Sequence, residues 1–136
     1  MIELLHGRTA ALAAAVLACL SAAGCGAQAD GPAGDVASGF VAAIADGDGE
    51  RACGLLADDT VEFVESSRDE DCPAVLAALD LPSDPVSELQ VWGDGAQART
   101  AGDTLFLRDG PSGWRVVAAG CTSRTSGPYS CELEAP

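Results

Sequence analysis

Leu81-Pro82-Ser83-Asp84-Pro85 decides the fold, because the spacing of apolar residues differs on its two sides. Proline fixes its own backbone angle, removes a donor and pushes the residue before it out of helical space. A helical run therefore has to end here. Beyond it, Val86 to Trp92, Ala96 to Thr100, Thr104 to Leu107 and Trp114 to Ala119 alternate with the period of two that strands require. Gly93-Asp94-Gly95, Ala101-Gly102-Asp103 and Asp109-Gly110-Pro111-Ser112-Gly113 separate them, and such clusters punctuate hairpins. About four antiparallel strands in a meander are expected.

Ahead of that stretch the period is helical. Asp35 reads as an N-cap, after which Val36, Phe40, Val41 and Ile44 recur on one face until Gly47 stops the run. Asp48 can cap a short second helix through Ala52, Leu55 and Leu56. Asp59 with Glu62 gives a capping-box pattern before Phe63 and Val64. Cys72-Pro73 opens a further helix through Val75, Leu76 and Leu79, with proline in its first turn. Helices first and a meander second is an α+β layout, with the N-terminal helices packed on a curved sheet and the first helix across one face.

The chain opens differently. Met1 to Thr9 is a short segment with Arg8 as its firm positive charge, and Ala10 to Leu20 is an apolar, alanine-rich run of the length a secretory signal needs. It is too short to span a bilayer, which takes about 20 apolar residues. It ends in Leu20-Ser21-Ala22-Ala23-Gly24-Cys25, which resembles a bacterial lipobox, with alanine at Ala22 where leucine is usual. The resemblance implies a signal peptide over 1–24, cleaved before Cys25, with that thiol carrying diacylglycerol and palmitate-type chains. Several acyl chains hold a protein firmly at a membrane where one does not. Residues 25–34 then form the lipidated cysteine and a polar tether, and 35–136 a single domain on the extracytoplasmic face of the cell membrane.

Six cysteines are present. With Cys19 in the signal and Cys25 lipidated, Cys53, Cys72, Cys121 and Cys131 remain, an even set that reads as two disulfides in an exported domain. Three connectivities exist. The local pairs Cys53 with Cys72 and Cys121 with Cys131 are favoured because each lies within one half of the chain. A zinc site needs close Cys-x-x-Cys pairs or histidine partners, and the sequence has neither.

The net charge is −14, and losing Glu3 and Arg8 with the signal leaves it unchanged. The chain has no lysine, and the arginines are scattered among the acids, so the basic patch that nucleic acid requires is missing. Anionic lipid is an equally poor partner by charge. The acids are spread along the chain, as a soluble face would spread them.

The order of elements, with Gly47-Asp48-Gly49-Glu50-Arg51-Ala52-Cys53 early and Gly113-Trp114-Arg115-Val116, Ala118-Ala119-Gly120-Cys121 and Pro128-Tyr129-Ser130-Cys131 late, resembles a group of uncharacterised bacterial lipoproteins. Their fold looks like the NTF2-like or cystatin-like superfamily. The resemblance implies a fold and a location. It implies no mechanism, since that superfamily holds isomerases, dehydratases and many non-catalytic modules.

Candidate chemistry is sparse. Asp46-Gly47-Asp48-Gly49-Glu50 has the spacing of the first calcium-loop ligands, but Arg51 stands where glycine is needed and Ala57 where the bidentate glutamate belongs. A corner between helices explains it better. Asp58-Asp59 and Arg68-Asp69-Glu70-Asp71 fall at expected helix starts, where acids favour the dipole. Phe40, Trp92, Phe106 and Trp114 are candidates to line a pocket between helix and sheet, although Trp92 and Trp114, expected on adjacent antiparallel strands, read more simply as core or edge packing. His6, the sole histidine, leaves with the signal, which excludes Ser-His-Asp, Cys-His and histidine-metal chemistry from the remainder. No metal and no cofactor is called for.

The expected function is therefore a lipid-anchored, non-catalytic binding or interaction module whose partner is an envelope protein or a small ligand. The alternative is a carboxylate-based isomerase or dehydratase-like enzyme in an NTF2-like pocket. Two convergent carboxylates in a deep pocket would mark the enzyme. An apolar pocket would mark the ligand binder, and a filled core the docking module.

Overall fold

A computed structural model describes residues 31–136; the expected signal peptide over 1–24, Cys25 and the expected tether as far as residue 30 lie outside the described residues. The helices are α1 (Pro32–Ala45), α2 (Gly49–Gly54), α3 (Asp58–Arg68) and α4 (Cys72–Leu79). The strands are β1 (Glu88–Trp92), β2 (Gly95–Arg99), β3 (Thr104–Gly110), β4 (Gly113–Thr122) and β5 (Ser130–Glu134). The α+β class holds, with helices preceding one antiparallel sheet in the order β1-β2-β3-β4-β5. Among the described residues no helix is long and apolar enough to cross a membrane.

The sheet has five strands where the sequence suggested about four. Ser130–Glu134 was missed because it follows a polar Gly-Pro-Ser stretch and offers few apolar residues. It forms because β4 runs on to Thr122 and presents Cys121 directly opposite Cys131. The disulfide Cys121–Cys131 joins these two positions, and Cys53–Cys72 ties α2 to α4. Both are the local pairs favoured from the sequence.

Helix starts differ in instructive ways. α1 begins at Pro32 with Gly31 before it, so Asp35 is not the N-cap; it sits in the first turn, its N–H donating to Gly31 O at 2.9 Å. Proline suits that turn because its missing N–H would have no partner there. Asp48 does cap α2, its carboxylate accepting the Arg51 N–H at 3.1 Å. α3 starts after Ala57 instead of at Asp59. Leu56 is bridged to β4: Val116 N–H donates to Leu55 O, and Ala57 N–H donates to Val116 O, each at 2.9 Å. Leu55 and Leu56 therefore lie beyond α2, and the helix can begin only once that pairing ends.

The core is filled. Phe40 of α1, 1% exposed, packs with Leu56, Val75, Leu105, Val116 and Leu133, all fully buried. On β2 to β4, Ala96, Ala98, Leu105, Leu107 and Val116 turn inward and meet α1, whose Ala37 and Ala43 let the backbones approach. Hydrophobic burial of this kind is the main favourable term in folding, and on the other face of the sheet the start of α3 borders β4 through Thr60, whose Oγ1 donates to Val117 O at 3.3 Å.

Candidate functional site

Directly opposed residues of antiparallel strands share a face, so the register writes out that second face row by row. Trp92, Gly95, Arg108 and Arg115 form one row across β1 to β4. Gln90, Gln97, Phe106, Ala118 and Glu134 form the next, and Glu88, Arg99 and Thr104 begin a third. Trp92 is 53% exposed, and Gln90, Arg99 and Arg108 are exposed beside it. Gly95 has no side chain, and the indole Nε1 lies 3.4 Å from where a β-carbon there would stand, so the ring leans over the glycine along its row. Gly93, at φ +61°, makes the tight turn that sets this register.

The residues expected to line one pocket are not gathered together. Phe40 is sealed in the core. Trp92 and Trp114 are on β1 and β4, with two strands between them, so they are not neighbours; Trp114 packs partly buried against the core while Trp92 projects from the far face. A meander of consecutive hairpins places the first and fourth of its strands apart, so the two rings could not be adjacent. Phe106 alone lines a cleft. Its ring meets Tyr129 edge-on at 5.1 Å, an arrangement favoured by the ring quadrupoles. Their cleft, about 510 Å³, is completed by Asp59, Thr60, Arg108, Val117, Pro128 and Glu134. A second cleft of about 300 Å³ adjoins it, sharing Asp59, Arg108 and Val117 and adding Asp58 and Arg115. Together they form a trough of mixed charge at the surface, neither deep nor purely apolar.

Among the described residues one carboxylate is buried, and no local pattern in the chain marks it. Asp103, 7% exposed, follows the β2–β3 turn and reaches across to β4. Its Oδ2 accepts the Gly120 N–H at 2.9 Å and its Oδ1 the Cys121 N–H at 2.7 Å, while Thr100 Oγ1 accepts the Asp103 N–H at 2.9 Å. Burial pushes this carboxyl above the ordinary aspartate range, and the N–H groups of Gly120, Cys121 and Thr104 draw it part of the way back. Gly120 itself sits at φ +66°, where a β-carbon would come within 2.9 Å of both Leu81 Cδ2 and Glu132 Cβ. The bend in β4 that exposes these two donors thus depends on glycine.

The remaining acids serve the backbone or face solvent. Asp46 pairs with Arg51 at 3.5 Å at the α1–α2 corner, beside the Asp48 cap. Arg68 is the last residue of α3, Asp69 caps it in the left-handed region and Asp71 precedes α4, so Asp69 to Asp71 is a turn between helices instead of a helix start. Glu65 accepts the Cys72 N–H at 3.0 Å. Among the described residues no group of three His, Cys, Asp or Glu side chains is placed to hold a metal ion.

Comparison with protein-family models, curated proteins and solved structures finds no match.

Proposed function

We propose that this protein is an exported lipoprotein, anchored through Cys25 to the extracytoplasmic face of the cell membrane, and that it acts as a non-catalytic binding or protein-interaction module. One observation carries the binding part: beside the first turn of α3 the sheet presents Phe106, Arg108 and Arg115, with Tyr129 next to them, around a surface trough, and Trp92 stands exposed on the same face of the sheet. A large ring left half in water suits a face that meets something else, since buried aromatic and arginine side chains carry much of the energy of interfaces. The acidic remainder of the surface supports a domain held off the membrane by its tether. The helices-then-meander layout, with α1 across β2 to β4, supports the likeness to the NTF2-like or cystatin-like superfamily.

The enzymatic alternative is favoured by a single feature, the buried Asp103. Both its oxygens already accept main-chain hydrogen bonds, so it has a structural task. A general acid or base must reach the proton it transfers. An envelope metabolite turned over by the wild type and not by a folded Asp103→Asn variant would overturn the non-catalytic reading.

The anchor is tested by fractionating cells that express the full chain. Cys25→Ala should release the domain or accumulate uncut precursor; normal processing with full retention in the membrane would refute the lipid anchor. Cross-linking in membranes tests the binding face, where Trp92→Ala with Arg108→Gln should abolish adducts that the wild type forms.

A further inference from the structure

The smaller cleft holds two like-charged pairs side by side. Arg108 and Arg115 stand directly opposite one another across β3 and β4, a register in which like charges repel. The same cleft is lined by Asp58 and Asp59 in the first turn of α3, whose N-cap Ala57 supplies no side-chain acceptor. Among the described residues, none of these four has an oppositely charged group within 4.0 Å; the ion pairs formed are Arg51 with Asp46 and Arg99 with Glu88. Arg115 donates to Trp114 O at 2.8 Å, and Asp59 Oδ1 accepts the Thr60 N–H at 2.9 Å, contacts that leave both charges unneutralised.

A simple anion would relieve the arginines and burden the aspartates, and a simple cation would do the reverse. A ligand carrying both charges relieves both pairs at once. From the geometry we infer that this cleft binds a small zwitterion of the amino-acid class, its carboxylate toward Arg108 and Arg115 and its ammonium toward Asp58 and Asp59. Guanidinium groups suit a carboxylate through paired hydrogen bonds. Val117 is shared with the adjoining cleft, so an apolar side chain on the ligand has a path toward Phe106 and Tyr129. A cleft of about 300 Å³ sets the scale at a single small molecule, and the net charge of −14 argues against any polyanion. This inference rests on the binding reading above and names the class of ligand.

The test is a titration of the oxidised soluble domain, followed by proton–nitrogen correlation spectra, with L-phenylalanine as probe. L-Phenylalaninamide lacks the carboxylate, and N-acetyl-L-phenylalanine lacks the ammonium. Saturable shifts at Ala57 to Thr60, at Arg108, at Gly110 and across Ser112 to Arg115 are expected with phenylalanine. Each control should bind about tenfold more weakly or worse, because it leaves one charged pair of the site unpaired. Arg108→Gln and Asp58→Asn, both at the surface, should each weaken phenylalanine by a similar factor while leaving the rest of the spectrum unchanged. Equal binding of either control, insensitivity to both substitutions, or no saturable shift would overturn the inference. Membrane fractionation and cross-linking are independent of this titration, so the zwitterion site can fail while the tethered module stands.

Discussion

Asp103→Asn removes one charge and changes almost no volume, so it isolates what the buried carboxylate does. In the wild type two oxygens accept two main-chain N–H groups, from Gly120 at 2.9 Å and Cys121 at 2.7 Å. Asparagine keeps one acceptor and turns an NH₂ group toward the other donor. A hydrogen bond to a charged group contributes about 1.5–3 kcal/mol, and an orphaned buried donor costs about 1–3 kcal/mol. Relief of the buried charge offsets part of this, and a net loss of about 2 kcal/mol is expected at neutral pH. For a domain of this size that corresponds to a fall in Tm of roughly 8–16 °C. Urea unfolding of the oxidised protein, followed through Trp92 and Trp114 fluorescence, measures it. The sign of the pH dependence follows from the raised carboxyl. The folded state holds this proton more tightly than the unfolded chain, so the contribution of Asp103 rises as pH falls from its folded value toward 3.8 and is lost again as pH increases. The advantage of wild type over Asp103→Asn should therefore widen on acidification through that window. A difference below about 0.5 kcal/mol at neutral pH, the level of an ordinary surface change, would refute the bonding argument. An advantage that shrinks on acidification would show that the N–H groups outweigh burial.

Gly120→Ala should cost about 3 kcal/mol, combining left-handed backbone strain with the close approach to Leu81 and Glu132, and denaturant midpoints will show it. Replacing Cys53 and Cys72 together by alanine should cost about 3 kcal/mol with unchanged far-ultraviolet circular dichroism at low temperature; a loss below 1 kcal/mol would mean that α2 and α4 hold without the bond. Phe40→Ala should cost about 3–5 kcal/mol, whereas Trp92→Ala should change stability by no more than about 0.5 kcal/mol. Parallel thermal melts test that contrast, and equal losses would refute the assignment of the two rings to core and surface.

The sequence by itself determined what local pattern can encode. Pro82 and Pro85 end the helical half, alternation from Val86 onward produces the meander, Asp48 caps α2, and Cys53, Cys72, Cys121 and Cys131 pair within their halves. Each of these depends on residues close together in the chain, where period, caps and short loops act directly. Tertiary structure decided the rest. β5 exists because β4 extends far enough to pair with it, although Cys131 and Leu133 alternating with Ser130, Glu132 and Glu134 were a faint signal. α3 begins at Asp58 because Leu55 to Ala57 is captured by Val116, far away in sequence. Asp103 is buried because a bend at Gly120 brings two donors to it. The opposition of Arg108 to Arg115 is a matter of register, which is fixed by hydrogen bonds between strands and shifts every side chain to the other face with a slip of one residue. Composition therefore reveals how many arginines there are, and only the ladder reveals which of them face one another.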